Sequence, residues 1–400
     1  MNNRPRRARN VAFKILIILA ALGIAITWLW SARESPPVPA LGDRLFEPRD
    51  VGATTVAIDG TRWMINGSVT YPGGPAEGLL MNARMVNAVF EDDRPQSEWP
   101  PALPENFNPD ANTDAFIARM PEYVAYGMRA FTLNLQGGSP KYEGAHNSAF
   151  NSDGSLRDTY MARVERVIEA AGREGAVIIL GLFYQRQHHQ APTSNPRALN
   201  GKEAIRAAVV NTMNWIKARG YGNVMIEIAN EFDHGGFQKW HDGEWLGSVE
   251  GQVELIQLAQ TTHHGLLVST SPGGHGTVPA EIAEASDFIL LHTNHTDVPD
   301  YPERIRAASI YDKPVVINED DKLGKLGAEA AQTAVDSGAS WGLMLWDQNQ
   351  AAPFEFAGAI DDPAIYNRVL ALTGVAPFST GHQADRLDDK IRAGENSIRH

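Results

Sequence analysis

Apolar and polar positions alternate in blocks along this chain rather than residue by residue. Short apolar runs at 130–135, 176–183, 224–231, 266–269, 288–292, 314–319 and 342–346 are each followed by a segment whose apolar residues recur at helical spacing. Those segments fall at 157–173, 202–219, 249–260, 280–285, 303–308, 327–335 and 364–372. Near-continuous apolar runs suit strands covered on both faces. An eighth, leading strand is placed at 66–71, with helical spacing after it at 76–90 and 114–126. Before it, 54–58 and 62–65 flank Asp59-Gly60, a hairpin turn signal that predicts a small β-ribbon. Eight strands alternating with helices predict an α/β fold, a (β/α)8 TIM barrel spanning 54–376. An open doubly wound sheet is the alternative, but no Gly-rich phosphate loop follows the first strand.

The ends of the chain read differently. Residues 1–10 carry Arg4, Arg6, Arg7 and Arg9 and no acid, and 11–30 is apolar but for Lys14 and Thr27. That length and flank predict a transmembrane signal-anchor with a cytoplasmic basic segment and an extracytoplasmic catalytic domain. A cleaved signal peptide is the competing reading, but it favours a shorter apolar core and a small-residue cleavage site. Pro36, Pro37, Pro39 and Pro48 make 31–53 a stiff linker, and 377–400 is a charged, loosely ordered tail.

Composition narrows the chemistry. With no cysteine, disulfides, thiolate nucleophiles and Cys-based metal sites are excluded. A net charge of −13, despite five basic residues within the first fourteen, argues against nucleic acid as a partner. A neutral substrate is compatible with it.

Two of the apolar runs end alike: Asn230-Glu231 closes the fourth, and Asn318-Glu319 closes the seventh. In a parallel barrel, catalytic groups sit at the C-terminal ends of strands. Two carboxylates facing each other there are the equipment for glycosidic bond cleavage, one as acid and one as nucleophile. A single strand-end Glu is more simply a solvent-facing cap. A pair, each preceded by Asn and three strand–helix units apart, is not so easily dismissed.

This arrangement resembles glycoside hydrolase clan A, the "4/7" superfamily that includes the family 5 cellulases and mannanases. The resemblance implies a retaining β-glycosidase with Glu231 as acid/base and Glu319 as nucleophile. It further implies that Asn230 donates to the sugar 2-hydroxyl and that Trp346 is the platform beneath the sugar undergoing attack. It places His292 beside the nucleophile. The sequence departs from the family where His292-Thr293-Asn294-His295 stands for the usual His-x-Tyr. The Arg that family 5 carries near the second strand is also not found there.

Other strand-end residues, Tyr71, Asn134, Gln136, Tyr184, Gln185 and Arg186, either bind sugar hydroxyls or are ordinary loop groups. Trp240 and Trp245 either stack on sugars or pack under a long loop. Asn82 and Arg84 read as helix surface. The histidines, numerous as they are, lack the His-x-His expected of a metal site after the first strand, so no metal or other cofactor is expected. No Gly-x-Ser-x-Gly elbow is present. Two other classes remain: a carbohydrate-binding barrel without catalysis, and a metal-dependent barrel hydrolase.

Overall fold

The computed structural model describes residues 54–99, 103–137, 145–185 and 195–375. The basic segment, the apolar run 11–30, the linker 31–53 and the tail 377–400 lie outside the described residues. No helix among the described residues is long and apolar enough to cross a membrane.

The first described elements form the expected ribbon. Strands β1 (Val56–Asp59), β2 (Arg62–Ile65) and β3 (Ser68–Val69) pair antiparallel, with Asp59 opposite Arg62 and Gly60 at φ 63° in the turn. Only glycine takes that conformation without steric cost. The ribbon's inner face carries Trp63, fully buried against Leu80, Ala130, Val177, Met225, Phe288 and Val316. These residues stand at or just before the starts of their strands, so Trp63 plugs the N-terminal end of the barrel. Its ring meets Phe288 edge-on at 5.4 Å.

The barrel strands are β4 (Asn82–Arg84), β5 (Ala130–Asn134), β6 (Val177–Tyr184), β7 (Val224–Asn230), β8 (Leu267–Ser269), β9 (Ile289–His292), β10 (Val315–Glu319) and β11 (Gly342–Leu343). They form one parallel sheet in the order β11-β4-β5-β6-β7-β8 and a second, β10-β9. Val316 bridges to Ser340 and Asp320 to Leu343, joining β10 to the β11 chain. At the other seam, the Asp287 N–H donates to the Val268 carbonyl at 2.9 Å. Eight parallel strands thus close into a ring. Around it run α1 (Pro109–Ala125), α2 (Asp158–Arg173), α3 (Lys202–Arg219), the short α4 (Gly243–Leu246), α5 (Val249–Thr262), α6 (Ala280–Ala285), α7 (Tyr301–Ser309), α8 (Gly324–Asp336) and α9 (Pro363–Thr373). Their ends are specified locally. The Asn108 side chain accepts from Asp110 N and Ala111 N ahead of Pro109 at the first turn of α1, and Asp362 caps α9 in the same way.

The leading strand is a correction. Residues 66–71 belong to the ribbon as β3 and its exit, and the 76–90 segment holds β4 followed by a short 3-10 turn, Val86–Ala88, in place of a helix. The physical reason is that β4 places polar side chains inside the barrel. Asn82 and Arg84 therefore imitate the solvent face of an amphipathic helix, although both are buried. Asn82 Nδ2 reaches past β11 to the Ile317 carbonyl at 3.1 Å. Gly342 on β11 leaves the space, since a Cβ there would stand 2.0 Å from Asn82 Oδ1.

Removing the plug tests this account of the barrel floor. Trp63→Ala is expected to cost about 3–5 kcal/mol, read as a lower midpoint in denaturant unfolding, with ligand binding at the opposite end of the barrel unchanged in the folded fraction.

Candidate active site

Side chains in a strand alternate between faces, so positions two apart share one. Stepping two residues along from the apolar floor leads into a polar layer: Met225 to Glu227, Leu290 to His292, Val316 to Asn318, and Leu80 through Asn82 to Arg84. Glu227 and His292 are fully buried. Arg84 Nη1 lies 3.9 Å from Glu227 Oε2, His292 Nε2 lies 3.6 Å from Glu227 Oε1, and Asn318 Nδ2 donates to Glu227 Oε1 at 3.3 Å.

The two rim glutamates stand on this layer, and each sits at a break in regular strand geometry. Between Ile317 and Glu319 the β9–β10 register shifts, so Asn318 and Glu319 both serve the interior. Glu231 has φ 47°, in the left-handed region, at a cost on the order of 1–3 kcal/mol. The β8 loop holds that backbone: Glu231 N–H donates to Ser271 Oγ at 3.1 Å, and Phe232 N–H to the Ser271 carbonyl at 2.9 Å.

Donors then fix the side chains. Glu319 accepts from Arg84 Nε at 2.7 Å and from Asn294 Nδ2 at 2.6 Å, one on each oxygen. Glu231 accepts from Gln185 Nε2 at 2.8 Å. Gln185 also takes a hydrogen bond from Asn230 Nδ2 at 2.9 Å, and Asn230 Oδ1 accepts from Arg84 Nη2. An arginine does reach the site, Arg84, carried on the first barrel strand rather than the second. Gln185, a candidate from its place after the third predicted strand, and Asn294, which that position did not single out, complete the set, and Arg186 lies outside the described residues.

His292 sits between the pair, its Nδ1 3.6 Å from both Glu231 Oε1 and Glu319 Oε2. Ligand atoms of Glu231, His292 and Glu319 all lie within 4.8 Å of one another. At 3.6 Å the imidazole acts mainly through charge rather than through a hydrogen bond. Burial opposes the charge on His292, but Glu319 and then Glu227 and Glu231 outweigh it and raise its pKa to about 9. Burial likewise opposes charge on Glu231, yet His292 and Arg84 hold it down at about 2. The ring carries the proton in the open site, and Glu231 is a carboxylate.

A cavity of about 410 Å³ opens above these groups, lined by Tyr184, Gln185, Glu231, Asn294, Glu319 and Trp346 among others. Of the residues expected to meet a sugar, Tyr184 and Trp346 line it. Asn230 and His292 lie beneath the lining, 1% and 0% exposed, and touch the carboxyl-bearing residues and Arg84 instead. Asn134 faces Gly181 inside the barrel, below the cavity, where a glycine Cβ would meet its Oδ1 at 2.2 Å. Tyr71 is a correction: its hydroxyl donates to the Gly127 carbonyl at 2.7 Å and accepts from Met81 N–H, at the N-terminal end of the barrel. It leaves the ribbon rather than a barrel strand. Trp240 and Trp245 are corrections too. Trp240 packs on Phe183 and Phe237, and Trp245 lies under Lys202, 4.2 Å from the ring centroid. Trp240 is buried there and Trp245 is half-buried against α3, and neither lines the cavity.

Two carboxylates and an imidazole are donors of a kind that takes a divalent cation. Here Arg84 already lies against Glu319, and His292 carries a proton, so a metal ion would have to displace both positive charges.

No family model and no curated protein sequence matches this chain. Solved structures do. An endo-1,4-beta-mannanase from Rhizomucor miehei aligns with a TM-score of 0.50 at 13% identity, covering 80% of this chain and 98% of that one. A Bacteroides vulgatus protein assigned provisionally to the glycoside hydrolases aligns at 0.52 and 14% identity, over 80% of this chain and 61% of that one. The likeness is one of fold. This chain shares the parallel α/β barrel on which those proteins are built.

The charge pattern predicts how stability follows pH. The raised pKa of His292 makes its contribution complete below about pH 6.5 and lost as pH rises through about 9. The lowered pKa of Glu231 works in the opposite sense, complete above about pH 4.5 and lost on falling toward about 2. Denaturant midpoints are expected to be level between those limits and to decline on either side. In His292→Asn, the alkaline decline between pH 6.5 and 9 should flatten.

Proposed function

We propose that this chain is a retaining β-glycoside hydrolase acting on an oligo- or polysaccharide. The observation that carries the reading is the approach of Glu231 and Glu319 oxygens to within 4.8 Å, from opposite sides of one barrel mouth. Retaining enzymes place their carboxyl groups about 5–5.5 Å apart, whereas inverting ones leave a wider gap for water. The likeness in fold to an endo-1,4-beta-mannanase supports the same reading.

In this mechanism Glu319, aligned by Arg84 and Asn294, attacks the anomeric carbon as the glycosidic bond breaks. The leaving oxygen needs a proton, and in the open site that proton is on His292. A sugar that excludes water disfavours the separated charges of His292 and Glu231 and so favours passing the proton to Glu231. Glu231 then gives it to the leaving oxygen. In the second step Glu231, now a carboxylate, takes a proton from the attacking water, Glu319 is released, and His292 recovers its charge. Trp346 offers its face to the sugar, and Tyr184 and Gln185 offer polar groups at the cavity wall. From residues 1–30 alone we also propose a membrane-anchored enzyme with its barrel outside the cytoplasm, to be tested by fractionation and mass spectrometry of the native N-terminus.

Aryl β-glycosides of several sugars, tested with the wild type and two variants, decide the matter. Glu319→Ala should abolish turnover, and azide should restore it on an activated aryl glycoside. Glu231→Ala should lose about 10²–10⁴-fold on substrates with poor leaving groups while keeping most activity on a dinitrophenyl glycoside, which departs without a proton. Chelators should leave the wild type unaffected. Sugar binding with no turnover on any substrate would instead support a non-catalytic carbohydrate-binding barrel, and loss on chelation a metal-dependent hydrolase.

A further inference from the structure

The cavity is lopsided. A sugar held between Glu231 on β7 and Glu319 on β10 divides the barrel rim into two arcs, one over β8 and β9 and one over β11, β4, β5 and β6. Over β8 and β9 the lining is open loop: Gly273, Gly274, His275, Asn294 and His295. Over the other arc it takes in Tyr184 and Gln185 at the end of β6 and Met344, Trp346 and Gln350 after β11, and among the described residues none from β4, β5 or the 85–99 segment lines it.

Among the described residues, two segments cover the rim over β11, β4 and β5. The chain leaving β4 runs across the ends of β4 and β5: Met85 N–H donates to the Thr132 carbonyl at 2.8 Å, and the Tyr160 hydroxyl holds the Val89 and Asn134 carbonyls at 2.7 and 3.2 Å. The turn after β11 closes onto it from the other side. Asn87 Nδ2 donates to the Gln350 carbonyl at 2.7 Å, and Gln350 Nε2 donates to the Arg84 carbonyl at 2.8 Å. Phe90, Phe107 and Phe354 then stack into a small core of their own with Leu103 and Ala352, ring centroids 5.0–6.1 Å apart. Glu91, buried, pairs with Arg157 and Arg163 and ties the wall to α2. A segment with its own apolar core and buried ion pairs is a fixed wall rather than a flap.

We propose that this wall ends the cleft one sugar beyond the nucleophile, so that the enzyme removes single sugars from the non-reducing ends of β-linked chains. The inference rests on the retaining-glycosidase reading, in which Trp346 underlies the sugar bonded to Glu319. That sugar then lies on the walled arc, and the leaving group departs past Glu231 toward β8 and β9, where the cavity is open. Its volume of about 410 Å³ is at the small end for ligand pockets.

The test uses the full chain and needs no variant. Aryl β-glycosides first identify the sugar. Oligosaccharides of that sugar, labelled at the reducing end with a fluorescent amine, are then digested and sampled early. The labelled product is expected to shorten by one sugar at a time, with free monosaccharide as the sole unlabelled product. Chains whose non-reducing terminal sugar is capped with a cyclic acetal should lose turnover altogether. Internal cleavage of the capped chains would overturn the inference while leaving the glycosidase reading intact. Inertness toward every aryl glycoside and every chain would overturn both.

Discussion

The Arg84–Glu319 contact is the interaction on which the rest of this site depends. Nε lies 2.7 Å from Oε2, both side chains are nearly or wholly out of water, and the same guanidinium also reaches Glu227 and Asn230. Removing an ion from water costs several kcal/mol, so a pair like this is poor evidence for stability. It is better evidence for function, because without Arg84 the carboxyl groups of Glu227 and Glu319 would keep, among the described residues, only His292 as a cation in contact with both. Three carboxyl groups cannot all remain charged at such range unless positive charge is built into the wall. The barrel supplies it from two strands, β4 and β9, on either side of β10 and β11.

Much of this was legible in the chain because parallel strands announce themselves as apolar runs, and the carboxylates stand where those runs stop. The ring of strands, the ribbon turn at Asp59-Gly60, and the two glutamates at strand ends follow from that logic. Orientation did not follow. Regular alternation from Met225 and Glu227 would turn Glu231 inward but not Asn230, and from Val316 and Asn318 it would turn Glu319 away. The left-handed backbone at Glu231 and the register shift before Glu319 are features of tertiary packing, and no residue type at those positions signals them.

Arg84 escaped the sequence for a related reason. Hydrophobic patterning assumes that polar residues face water, and inside the upper barrel they face each other. Asn82 and Arg84 on β4 therefore read as one face of a helix, and the true first strand, only three residues long, passed beneath the pattern. Tyr71 was displaced by the same error, since assigning the leading strand to the ribbon carried its last residue to the wrong end of the barrel. Trp240 and Trp245 fail differently: Trp240 gives the long loop a core of its own, and Trp245 serves as a face for the cations of α3.

The charge count at the mouth has a consequence for chemistry. Glu227, Glu231 and Glu319 outnumber Arg84 and a protonated His292 by one, so the open site carries a slight excess of negative charge in a low-dielectric setting. A neutral sugar gains little from that excess. The oxocarbenium-like transition state of glycosidic cleavage, which develops positive charge at the anomeric centre, gains a great deal. Catalysis requires interactions stronger in the transition state than in the ground state, and a fixed charge imbalance facing a substrate that becomes charged only on reacting meets that requirement. On the glycosidase reading proposed above, the buried Glu227, too deep to touch a sugar, has a definite part. By sharing Arg84 and His292 with the rim, it keeps them from neutralising Glu231 and Glu319 completely.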